Sequence, residues 1–127
     1  MQASKLYLYL WEHQFWDPEQ DRLLTRVCFG ITGHPDGRVQ GYEGHVGHRV
    51  VFAYLWQGPE RAIRELEIKI KTDFREHLFN GHLGAEYEWL TEDITLEQIA
   101  NWVKWEVEDV STITTVAENA TLQIKQG

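Results

Sequence analysis

A chain of 127 residues and 14.9 kDa, 43% apolar and 13% aromatic, carries enough apolar surface for one core and is excluded from the disordered class. Its one cysteine, Cys28, excludes an internal disulfide, and no apolar run reaches the length of a signal or membrane segment, so a reducing cytoplasm is the expected compartment. The net charge of −8 argues against a protein that holds nucleic acid by bulk electrostatics, but the acidity is uneven: residues 1–90 carry 13 acids against 10 Lys/Arg, and residues 91–127 carry 7 against 2.

Leu6, Leu8 and Leu10 alternate with Tyr7, Tyr9 and Trp11, the pattern of a strand with an aliphatic and an aromatic face. A polar loop containing Asp17-Pro18 is expected to end it, and Thr25 to Ile31 reads as a second strand, antiparallel to the first across a long hairpin connection. Residues 32–37 are dense in turn formers, and Arg38 to Glu43 reads as a short helix kept marginal by Gly41 and Gly44. His48 to Trp56, rich in β-branched and aromatic residues, is expected to be a third strand, stopped at Gly58-Pro59.

A helix is expected from Pro59 to about Leu78, because Ile63, Leu66, Ile70, Phe74 and Leu78 recur at intervals of three and four. Asn80-Gly81 marks a turn. A further helix is expected to start at Thr95, where Thr95 and Gln98 fit a capping box, with Ile99, Trp102 and Val103 turned inward. The segment from Ser111 on reads as a late strand or a frayed end. The fold class is therefore α/β (α+β): a small antiparallel central sheet of about three strands flanked by helices, over residues 1–110, with a C-terminal tail over 111–127.

One carboxylate breaks the pattern. On a helical wheel with Ile63 at zero, Glu67 falls roughly 40° away, inside the apolar stripe, while Glu65 and Lys69 fall on the far side. A carboxylate turned to a core costs several kcal/mol unless a cation, a metal or hydrogen-bond donors compensate it. Arg38, in a Gly-rich segment just past a strand, offers a guanidinium that can meet a phosphate bidentately. Together the two make half of a phosphodiesterase site.

In order and spacing these features resemble the GIY-YIG nuclease superfamily, in particular its phage-type branch with a degenerate second motif. Cys28-Phe29-Gly30 stands where that family ends its second strand, Arg38 follows Gly30 by eight residues, and Leu66-Glu67, Phe74 and Glu88-Trp89-Leu90 follow the branch's later motifs. The resemblance covers residues 5–90. It implies a metal-dependent DNA endonuclease that hydrolyses phosphodiesters with one Mg²⁺ or Mn²⁺ ion on Glu67. It further implies that Arg38 stabilises charge developing on the phosphate and that Tyr7 or Tyr9 orients or deprotonates the attacking water, with Tyr42 as a substitute. The implied partners are DNA and a protein that supplies targeting, with no membrane.

The chain departs from the family's pattern in having Cys28 for the second tyrosine, no Gly-Ile in the first motif and Tyr42 four residues after Arg38, where a histidine is common. A second reading follows from those departures and from the charge: a catalytically inactive module of the same architecture that binds a basic protein. The H-x-x-H of His45 and His48, with His77 and His82 further on, raises a structural zinc, which the scarcity of cysteine and the loose ligand spacing argue against.

Overall fold

The computed structural model describes residues 5–46, 53–79, 88–91 and 93–118. Alternation in the first segment gives strand β1 (Lys5–Asp17), paired antiparallel to β2 (Arg22–Thr32) in continuous register from Tyr7 opposite Thr32 to Asp17 opposite Arg22. The long polar connection expected here is a correction: the ladder runs on to Asp17 and leaves a turn of four residues, closed by Asp21 at a φ of 53°. Short polar side chains tolerate this left-handed backbone. Past β2 comes helix α1 (Pro35–Val46), longer than expected because Pro35 and Asp36 suit a first helical turn and the helix continues through Gly41 and Gly44.

The third strand, β3 (Tyr54–Pro59), lies further along the chain than expected, and residues 47–52 fall outside the described ones. It pairs with β1 from Leu10 opposite Tyr54 to Lys5 opposite Pro59, so Pro59 closes the strand and also caps helix α2 (Glu60–Asp73). That helix is shorter than its apolar repeat suggests. Phe74 leaves the helical region at φ −112° and ψ 22°, Arg75–His77 form a single tight turn, and Leu78 belongs to strand β4 (Leu78–Phe79). Phe74 instead packs edge-on against Trp102 at 5.5 Å, which turns the chain back toward the sheet. The Asn80-Gly81 turn lies outside the described residues.

Strand β5 (Glu88–Leu90) joins β4 to β2. Helix α3 (Leu96–Val107) starts as the sequence reads: Thr95 Oγ1 accepts from the Gln98 N–H at 3.1 Å, and the Gln98 side chain accepts from the Thr95 N–H at 2.8 Å. Strand β6 (Thr114–Ala117) pairs with β3, so the late strand foreseen for the tail forms. The described sheet thus has six strands in the order β4-β5-β2-β1-β3-β6, with every pairing antiparallel. The domain is α+β, and its sheet is larger than the three strands expected because β4, β5 and β6 are two to four residues long, too short to show a period.

Leu8, Leu10, Val27, Phe29, Tyr54 and Trp56 point to one side of the sheet and pack with Ile63, Leu66 and Ile70 of α2 and Ile99, Ala100 and Val103 of α3 into one core. Trp102 closes the rim of this core through its indole N–H, which donates to Asp73 Oδ2 at 3.1 Å, and Lys69 pairs with Glu106 at 3.3 Å. Among the described residues no helix is long and apolar enough to cross a membrane.

Candidate active site

Residues alternate across β1, so Lys5, Tyr7, Tyr9 and Trp11 share the face opposite Leu8 and Leu10. Burial along this face is graded. Lys5 is exposed, Tyr7 is half-buried, Tyr9 is 1% exposed and Trp11 is fully buried, beside the equally buried Cys28. Tyr9 lies over its cross-strand partner Gly30, where a Cβ would sit 2.7 Å from Tyr9 Cζ. Glycine at that position is required by the tyrosine ring, and the ring is sealed by the glycine.

Tyr7 stands at the open end of the face. Directly paired residues share a side of an antiparallel sheet, so Thr32 of β2 and Gln57 of β3 flank Tyr7 in one polar row across three strands. Gln57 Nε2 donates to the Tyr7 hydroxyl at 2.8 Å. Thr32 Oγ1 accepts from the His34 N–H at 3.0 Å as the chain turns into α1, and the Arg38 N–H closes an early helical bond on the His34 carbonyl at 3.0 Å. Arg38 is half-buried.

The topology singles out the same end. Both β2 and β3 are antiparallel to β1 and finish beside its start, so α1 and α2 begin there. The α1 crossover runs from β2 toward β3, whereas the α2 crossover runs from β3 back toward β4. Right-handed crossovers in opposite directions place their helices on opposite faces, so the two helices part at this end. Two helix N-termini there also favour an anion.

Glu67 lies near the middle of α2, flanked by the buried Leu66 and Ile70 positions, with its side chain 17% exposed and its Oε1 3.7 Å from Lys71 Nζ, which is 38% exposed. The α2 stripe packs on the leucine face, so Glu67 comes from across the sheet relative to Tyr7 and Tyr9. Tyr42 falls within α1, and its side chain lies outside the described residues. The structure therefore sets Tyr7 and the start of the Arg38 helix at one end of the sheet and seals Tyr9 beneath the surface, and it does not bring Glu67 beside them: Glu67 stands midway along α2, on the opposite face of the sheet from Tyr7.

Sequence reasoning missed Gln57 and Thr32. Only strand register marks them, although Gln57 is the single strongly polar side chain in the β3 sequence YLWQGP. Elsewhere, Asp93 meets the Thr91 hydroxyl and His77 Nδ1, the latter at 3.1 Å. The Thr91 hydroxyl above all holds the Asp93 carboxyl below its ordinary value of 3.8; burial opposes it as the next largest effect, and His77 adds a smaller lowering. A cavity of about 510 Å³ between α3 and β3 is lined by Glu12, Tyr54, Glu97, Lys104 and Glu118 among others. Its Lys104 sits over the Tyr54 ring at 5.4 Å and pairs with Glu118 at 2.6 Å, a contact that raises the lysine's pKa. Among the described residues there is no group of three His, Cys, Asp or Glu that could hold a metal.

No protein-family model, no curated protein and no solved structure matches this chain.

Proposed function

We propose that the protein is a metal-dependent DNA endonuclease of GIY-YIG type. The observation that carries this reading is the end of the sheet where α1 and α2 part: Tyr7 opens there, the helix bearing Arg38 starts there, and the helix bearing Glu67 leaves from it.

The donor set suits Mg²⁺ or Mn²⁺ better than zinc. Glu67 offers hard carboxylate oxygen, and an ion of this kind takes one carboxylate and completes its shell with phosphate oxygens and water. Such an ion, when bound, polarises the phosphoryl oxygen and lowers the barrier to attack by water. Arg38 neutralises charge that develops on the phosphate. In this reading Tyr7, half-buried and held by Gln57, meets the phosphodiester at the end of the sheet from the face opposite the Glu67 helix and orients the attacking water, while Tyr9 supports the strand beneath it. The substrate is a phosphodiester of DNA, met by the nearly balanced N-terminal 90 residues rather than by the acidic C-terminal part.

A second reading is favoured by one contact. Lys71 lies within ion-pair range of Glu67, as it would in an inactive module whose carboxylate has only a structural partner and whose acidic surface, including Glu12, Glu97 and Glu118, meets a basic protein. Supercoiled plasmid incubated with the protein in Mg²⁺, in Mn²⁺ and in EDTA separates the two. Nicking in the metal lanes alone is expected, and intact plasmid in all three, with retention on a basic peptide column, would favour the second reading.

A further inference from the structure

We propose that Gln57 is a positioning residue of this site, setting the direction of the Tyr7 hydroxyl by donating a hydrogen bond to it; the inference rests on the nuclease reading above. A phenolic hydroxyl has one proton to give and two lone pairs to receive with. Gln57 Nε2 lies 2.8 Å from the Tyr7 oxygen and, as an amide nitrogen, can only donate. The Tyr7 proton is therefore turned away from Gln57. It is left for an acceptor at the open end of the face, where water or a phosphate oxygen would stand.

The surroundings make this a set geometry rather than a loose surface contact. Gln57 and Tyr7 are direct partners in the β1–β3 ladder, both half-buried, and Gln57 lies between the buried Trp56 and Gly58. On the other flank, the oxygen of Thr32 is engaged by the His34 N–H at 3.0 Å. Two residues deeper on the same face, Tyr9 is sealed over Gly30, so Tyr7 is the β1 tyrosine at the exposed end. Both polar neighbours of Tyr7 in the sheet are thus pinned, and the bond from Gln57 fixes which way its proton points.

The polarity of that bond is testable. Gln57→Lys keeps a side chain that can only donate, whereas Gln57→Glu keeps the glutamine shape but, ionised, can only accept, which draws the Tyr7 proton inward. Gln57→Glu is expected to lower kcat for Mg²⁺-dependent plasmid nicking by about a hundredfold, matching Tyr7→Phe, with KM little changed and an unchanged melting temperature. Gln57→Lys is expected to retain most of the rate. In NMR spectra, the Gln57 side-chain amide signal should move when Tyr7 becomes Phe. Nicking by Gln57→Glu at the parental rate, or equal losses in the Glu and Lys variants, would overturn the role while leaving the nuclease reading standing. An amide signal indifferent to Tyr7→Phe would overturn it as well. A parent chain that never nicks DNA removes the reading and the role together, even where the amide signal shows the hydrogen bond to be present.

Discussion

On the leucine side of β1, Leu8 and Leu10 are wholly buried and covered by two helices that contribute Ile63, Leu66, Ile70, Ile99 and Val103. On the tyrosine side of the same strand, burial declines stepwise from Trp11 through Tyr9 to Tyr7 and the exposed Lys5. Both faces are buried from Leu8 to Trp11 and open toward the start of the strand, where Leu6 and Tyr7 are half-buried, but the leucine side meets apolar helices and Tyr7 on the other side is flanked by the polar Thr32 and Gln57. Since both are written in alternate residues of a single segment, the two-residue period of a strand separates the apolar side from the polar-edged one. Substitutions on the two faces should then behave as different classes, and the comparison can be broken by showing that they do not.

The largest effect belongs to the apolar face. Ile70→Ala, at a fully buried α2 position, should cost about 2–5 kcal/mol in urea unfolding, a large part of the stability of a domain this size. A cost under about 1 kcal/mol would mean that the α2 stripe is not the core described. Next comes the sealed part of the tyrosine face. Gly30→Ala places a methyl against the Tyr9 ring and should destabilise by about 1–3 kcal/mol. Combined with Tyr9→Ala its cost should shrink, because the obstructing ring is gone, whereas strictly additive losses would deny the contact. Thr95→Ala removes the α3 cap and should cost about 1 kcal/mol, with no effect on nicking.

The smallest effect lies at the β5 end. Because the Asp93 carboxyl is held below its ordinary value of 3.8, its contribution to stability is present above that pH and is lost as the pH falls through the lower folded value. Asp93→Asn should therefore melt slightly below the parent near neutral pH and together with it in strong acid. A gap that widened toward acid would reverse the sign. Asp93 is largely exposed, so the difference is expected to be small.

How much of this the sequence disclosed follows from how local each signal is. The Thr95 capping box and the alternation of β1 are written in neighbouring residues, and both appear in the structure at the expected places. The end of α2 was misplaced because Phe74 and Leu78 continue a spacing of four that tertiary packing overrides: Phe74 leaves the helix to meet Trp102, and Leu78 pairs into the sheet opposite Leu90. Likewise the length of the β1–β2 ladder was hidden by the polar run Glu12-His13-Gln14, which interrupts the alternation but pairs through its backbone, so that Phe15 and Trp16 beyond it still stand opposite Leu24 and Leu23. Among the candidate site residues, Arg38 and Glu67 stand out by residue type and position in the sequence, whereas Tyr7, Tyr9 and Tyr42 enter together and only through the family resemblance. Gln57 does not stand out, because its relation to Tyr7 exists only once β1 and β3 are in register.

The central claim is that Glu67 is kept in the margin of an apolar stripe for chemistry rather than for structure, and Glu67→Gln tests it most directly. Glutamine keeps the shape of the glutamate while removing the charge that a metal would need, and thermal melting of the variant shows whether it is folded before its activity is compared. Plasmid nicking in Mg²⁺ by the parent and by Glu67→Gln, at equal concentration, is the deciding measurement. The account predicts cleavage by the parent and none by the variant; cleavage by both at the same rate would contradict it.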